Sequence, residues 1–196
     1  MSKQLDFYFD FGSPTAYLAH KRLLQLRAEY GLEINYIPML LGGVFKATDN
    51  VSPVAIPAKG AYMGTHDLPR FCKRYGVTLK FNPYFPINTL NLMRGAIAAQ
   101  RLGCFEQYLD VIYDAVWQEE KNLGDLEVIA QVLNDAGLQT QTLLELSQDP
   151  EIKQALIDNT EGAVARGCFG APTMFMGEEM FFGQDRLDFV EEALQA

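Results

Sequence analysis

The sequence predicts an α/β fold in which one small sheet is assembled from both ends of the chain. Three observations predict it. Residues 5–38 read as strand, helix, strand. Residues 59–166 carry a mostly helical period. Beyond Pro172 the period returns to two for a pair of short strands, and a last helix follows.

The first strand places Leu5, Phe7, Phe9 and Phe11 on one face. It runs into Gly12 and then Ser13-Pro14, a favoured N-cap followed by a residue favoured at the first helical position. Ala16, Ala19, Leu23, Leu26 and Tyr30 recur at gaps of three and four, one face of a helix that Gly31 is placed to end. Next, Ile34, Tyr36 and Pro38 alternate with Glu33 and Asn35, so 32–38 is a second strand, parallel to the first. The stretch 41–59 holds Gly42-Gly43, Thr48-Asp49-Asn50, Pro53 and Pro57, and is expected to be an irregular loop. Helices are expected over 60–75, 89–102, 105–117, 126–136, 143–146 and 151–166, with Asn82-Pro83-Tyr84-Phe85-Pro86 as a break. Asp125 and Asp149 are placed to cap helices, and Gly137 to end one. Thr173–Met176 and 180–182 form a hairpin through Gly177-Glu178, and 186–194 is the final helix. This order describes a thioredoxin-like α/β sandwich over 1–58 and 167–196, with a large helical insertion over 59–166.

The chain has 196 residues, a hydrophobic fraction of 48% and a net charge of −9. Such an acidic balance argues against nucleic acid as a partner. No apolar run approaches the ~20 residues that span a bilayer. Met1-Ser2-Lys3-Gln4 leads straight into the first strand, so no signal peptide and a cytoplasmic location are expected. Cys72, Cys104 and Cys168 are far apart and odd in number, without a CxxC, which suggests neither a zinc site nor a redox dithiol. His20 and His66 are too few to make a metal site alone, and no G-x-S-x-G supports a serine hydrolase.

In this architecture Ser13-Pro14 stands where thioredoxin-fold proteins carry their active-site Cys-Pro, and Gly170-Ala171-Pro172-Thr173 stands at their cis-proline loop. Taken together, Phe9-Asp10-Phe11-x-Ser13-Pro14, Asn50, Pro57-x-Lys59, Phe169 to Thr173 and Phe182-Gly183-Gln184-Asp185-Arg186-Leu187 resemble one family over nearly the whole chain. It is the 2-hydroxychromene-2-carboxylate isomerases, relatives of the kappa-class glutathione transferases. The resemblance implies a dimeric, glutathione-dependent enzyme of aromatic catabolism that isomerises an aromatic 2-oxo acid by reversible thiol addition. Two other readings stay open: a kappa-like transferase that keeps the conjugate, and a non-catalytic glutathione-binding module. One departure concerns the substrate loop. Polar residues follow the family's Asn-x-x-Pro, whereas here Val54-Ala55-Ile56 follow Pro53.

From the residues alone Ser13 is a helix cap; the resemblance adds a hydrogen bond from its hydroxyl to the glutathione sulfur. Ala16 stands where a resolving cysteine would be, so neither cysteine of a dithiol is present there. The resemblance implies that Ala171 and Pro172 offer a short backbone edge to the cysteinyl part of glutathione; otherwise Pro172 is a plain strand-entry proline. Asp185 is either a cap or the partner of the γ-glutamyl ammonium, with Phe182, Gly183 and Gln184 adding backbone contacts. Lys46 and Lys59 are solvated charges or carboxylate binders. In the second reading Lys46 with Asn50 holds the substrate and Lys59 with Asn50 holds glutathione. Tyr84 and Phe85 wall an aromatic pocket or belong to the core, and Trp117 is core or pocket lining.

Overall fold

The computed structural model describes residues 3–195. Met1 and Ser2, on which the expectation about a leader partly rests, lie outside the described residues. A four-stranded sheet has the order β2-β1-β3-β4. Strand β1 (Gln4–Phe9) runs parallel to β2 (Glu33–Pro38) and antiparallel to β3 (Thr173–Met176), which pairs antiparallel with β4 (Glu179–Phe182). Leu5, Phe7, Phe9 and Phe11 are all 0% exposed on one face, and Tyr8 on the other face of this central strand is buried too, at 7%. A side chain buried so completely contributes about 1.5–3 kcal/mol. No helix of the described residues is long and apolar enough to cross a membrane.

Helix α1 (Pro14–Tyr30) starts at Ser13 and ends at Gly31, whose φ of 70° suits a residue without Cβ. The expected irregular stretch after β2 is in part ordered otherwise. Leu41–Ala47 forms helix α2, and Pro57–Tyr62 forms α3, with a three-residue 3-10 turn at Pro53–Ala55 between them. Gly42-Gly43 costs helix propensity, about 1 kcal/mol per glycine. Tertiary contacts outweigh that cost. A Cβ on Gly43 would lie 3.1 Å from Thr160, and the Leu41 N–H donates to the Asp10 carboxylate at 2.8 Å.

A π-turn at Met63–Asp67 joins α3 to α4 (Leu68–Tyr75). Then come α5 (Leu90–Leu102), α6 (Phe105–Trp117), α7 (Leu126–Asp135), α8 (Thr140–Leu146) and α9 (Pro150–Ala165). Asp125 and Asp149 accept from the backbone N–H groups of Glu127 and Glu151, as their cap positions require. The last helix, α10, spans Leu187–Gln195.

His20 lies on the buried side of α1, only 2% exposed. Its Nδ1 is 3.0 Å from the Tyr36 hydroxyl and its Nε2 3.3 Å from the Asp110 carboxylate. Burial pulls its pKa below the usual 6.5, although Asp110 pulls the other way. The unfolded chain therefore binds a proton at His20 before the folded chain does, and His20's contribution to stability declines as pH falls below 6.5. Denaturant titrations of wild type and His20→Gln should differ less at pH 5.5 than at pH 7.5. An unchanged gap would contradict this.

Candidate active site

The site is built where β1 meets α1. Asp10 is 2% exposed and accepts from the Gly12 N–H at 2.8 Å as well as from Leu41. It thus pins the turn before Ser13 to the start of α2. Burial raises its pKa, and the two backbone donors and Thr89 offset part of that rise. The Trp117 indole N–H donates to the Phe11 carbonyl at 2.8 Å from the opposite side.

Ser13 is therefore held between two anchors, with only 4% of its surface exposed. Its Oγ accepts from the Ala16 N–H at 3.1 Å, the cap interaction read from sequence. The same hydroxyl donates to the Ala171 carbonyl at 3.0 Å. The Thr15 hydroxyl reaches that carbonyl too, at 3.3 Å, and lies 3.0 Å from Ser13 Oγ.

The Ala171–Pro172 peptide is cis, and so is Phe85–Pro86. The Ala171 N–H donates to no group among the described residues. Beyond it, the Gly183 N–H donates to the Pro172 carbonyl at 3.0 Å, and Phe182 pairs with Thr173 in the sheet. Gly183 has φ 94°, and a Cβ there would come within 2.5 Å of an Asp185 carboxylate oxygen. The Gln184 carbonyl accepts from the Tyr75 hydroxyl at 2.5 Å. Asp185 is exposed and pairs with the neighbouring Arg186. Asn50 donates to the Phe169 carbonyl at 2.8 Å, tying its loop to the segment before Pro172. The Phe169 and Phe182 rings lie 4.4 Å apart.

A cavity of about 640 Å³ opens beside Gly12, with Phe45, Val54, Ala55, Phe81 and Phe85 among its apolar walls. Asn82 holds one wall in place by donating to the carbonyls of Val116 and Lys121, both at 2.9 Å.

Ser13, Asn50, Ala171, Pro172, Phe182 and Gly183 are thus joined through direct contacts or one intervening residue, and Gln184 and Asp185 follow directly in the chain. Phe85 lines the cavity. Tyr84, 55% exposed, is not among its lining residues. Lys46 and Lys59 are exposed, form no ion pair among the described residues and are not cavity walls either. Asp10 and Thr15 received no role from sequence. Asp10 lies inside the quoted motif and Thr15 directly follows it, and their short polar side chains at a strand-to-helix turn were the available signal.

Chain thiols are poorly placed for chemistry at this point. Burial pushes the Cys168 thiol up to about 11, and burial likewise raises Cys72 and Cys104.

The family model that matches the chain is the DSBA-like thioredoxin domain, over residues 4–195. A 2-hydroxychromene-2-carboxylate isomerase of Pseudomonas putida is 33% identical over 97% of this chain and 93% of its own length. A kappa glutathione S-transferase of Caenorhabditis elegans is 28% identical over 98% of this chain and 91% of its own length. A solved structure of a 2-hydroxychromene-2-carboxylate isomerase superposes with a TM-score of 0.88 at 32% identity, covering 98% of this chain and 94% of that one.

Proposed function

Because this chain belongs to the DSBA-like thioredoxin domain family and, within it, to the 2-hydroxychromene-2-carboxylate isomerases, we propose that it is a glutathione-dependent cis-trans isomerase of an aromatic 2-oxo acid. The observation that carries the proposal is the Ser13 hydroxyl, one residue along the chain from Gly12 in the wall of a largely apolar cavity, on the carbonyl of Ala171, whose own N–H donates to no group among the described residues.

The residues present fit glutathione. An unpaired N–H next to a carbonyl at Ala171 suits pairing with an extended peptide backbone. Asp185 can exchange its pairing with Arg186 for the γ-glutamyl ammonium, and exposed Lys59 is free for the glycyl carboxylate. Phe182, Gly183, Gln184 and Asn50 shape the same end of the site. Calorimetry should detect heat on titrating reduced glutathione to millimolar concentration. Asp185→Asn should weaken that binding several-fold, as loss of one exposed charge pair does. No heat and no thermal stabilisation would count decisively against the assignment.

Bound glutathione supplies a thiol whose reversible addition makes the substrate's double bond single long enough to rotate. Ser13 turns its hydroxyl proton from the Ala171 carbonyl to the sulfur, and so holds it as thiolate. A free thiol has a pKa of about 8.5, and each unit of lowering takes about 1.4 kcal/mol. One donor at a helix N-terminus can supply one or two such units. Thr15 keeps a hydroxyl on Ala171 when Ser13 turns away. Lys46 and Asn50 orient the substrate carboxylate and stabilise charge developing on its ketone oxygen. Phe45, Phe81 and Phe85 wall the ring. Val54 and Ala55 make the cavity apolar, which favours a substrate with little polarity beyond its acid end.

The likeness to kappa transferases favours one rival outcome, a stable conjugate. Product analysis separates the two, since conjugation consumes glutathione and isomerisation does not. Dithiol exchange is not expected, because Ser13 and Ala16 carry no sulfur. Insulin precipitation with dithiothreitol should match the buffer control, and catalysed precipitation would overturn that. A cytoplasmic homodimer completes the proposal; sedimentation as a single chain at micromolar concentration would reject the dimer.

A further inference from the structure

A second cavity, of about 470 Å³, lies on the other side of α2, between α2, the start of α5 and α9. It shares no lining residue with the cavity beside Gly12. Leu40, Leu90, Leu156 and Val164 make its walls aliphatic. Its charged residues are Arg94, Lys153 and Glu161. Arg94 Nε is buried and has no hydrogen-bond partner. A buried donor left unpaired costs free energy that folded proteins rarely leave unrecovered. Nor does either Arg94 or Lys153 form an ion pair among the described residues, although Asp and Glu number 25 against 16 Lys and Arg. Glu161 is exposed and pairs with neither.

We propose that this cavity binds an amphipathic monocarboxylate, with the carboxylate on Arg94 and Lys153 and an apolar tail along the leucines. A guanidinium offers two parallel donors to a carboxylate, and Glu161, the one carboxylate among the lining residues, pairs with neither Arg94 nor Lys153. The volume is in the range that holds small organic ligands. This site is independent of the chemistry at Ser13.

The probe is octanoate, titrated into the full chain by calorimetry and by backbone amide NMR. Octanamide, with the same tail and no charge, is the control. Saturable octanoate binding is expected, with shifts at Gly43 and Thr160 rather than at Gly12 and Phe45. Octanamide should bind at least about tenfold more weakly, as should octanoate to Arg94→Gln, because a charge-assisted contact is lost. Lys153→Met at a half-buried position should weaken binding, and Ala165→Trp at an exposed one should block it by filling the cavity. If Arg94→Gln does not fold, these two variants decide. Absent saturation, equal affinity for octanamide, or shifts confined to the Gly12 side would overturn the proposal. So would a change of sedimentation in Ala165→Trp without octanoate, which would place a second copy of the chain over the cavity.

Discussion

Ser13→Ala is expected to lower kcat/KM for isomerisation by about 2–3 kcal/mol of transition-state stabilisation, roughly 30- to 150-fold, the worth of one preorganised donor. Glutathione affinity should change little, because Ala171, Asp185 and Lys59 hold the rest of the tripeptide. The fold should survive with a measurable penalty. Ser13 Oγ caps α1 through the Ala16 N–H, and loss of such a cap costs about 1 kcal/mol. The two effects separate in one experiment: thermal melts read the cap, and steady-state kinetics with 2-hydroxychromene-2-carboxylate read the donor. Ser13→Cys restores neither geometry nor a second cysteine, since Ala16 remains, so it should not create dithiol exchange. Equal rates for wild type and Ser13→Ala would remove Ser13 from the mechanism.

Trp117→Ala is expected to be the most destabilising single change near the site, at about 3–5 kcal/mol. The indole is 0% exposed and its N–H is the donor to the Phe11 carbonyl. Truncation opens a cavity against Phe81 and Phe85, whose rings both lie 6.1 Å away, and leaves a buried carbonyl without its partner. For a chain of this size each kcal/mol lowers Tm by about 2–4 °C, so a fall of roughly 6–20 °C should be seen. Trp117→Phe retains most of the packing and loses only the donor. Its cost should be about 1–3 kcal/mol. Because Phe11 lies two residues before Ser13, this variant should also lower kcat without raising the glutathione Kd. A melt within 2 °C of wild type for Trp117→Ala would contradict the packing account, by the same conversion of roughly 2–4 °C per kcal/mol.

Much of this arrangement was legible because local signals and tertiary demands agree. Phe7, Phe9 and Phe11 alternate on a strand that is buried on that face. Ser13-Pro14 and Gly31 mark both ends of α1 by their own backbone preferences. The hairpin of β3 and β4 turns at Gly177, whose φ is 60°. Helix α2 was not legible, because Gly42-Gly43 argues locally against it. What makes it helical, contact with Thr160 and the bond from Leu41 to Asp10, spans the chain. Asp10 and Thr15 were missed for a related reason. A short polar residue beside a turn reads as a turn former, and only the fold shows that Asp10 ties Gly12 to α2 and that Thr15 meets Ala171. Tyr84 was read as pocket wall or core; on the Asn82–Pro86 segment it is 55% exposed, which leaves it outside the core.

The most direct measurement is a turnover count. Purified protein is mixed with 2-hydroxychromene-2-carboxylate and glutathione at a small fraction of the substrate concentration, and isomerisation is followed spectroscopically while free glutathione is assayed at the end. Many product molecules per glutathione are expected, with all the glutathione recovered and no rate in its absence. Turnover without glutathione, or its loss one-for-one with substrate, would contradict it.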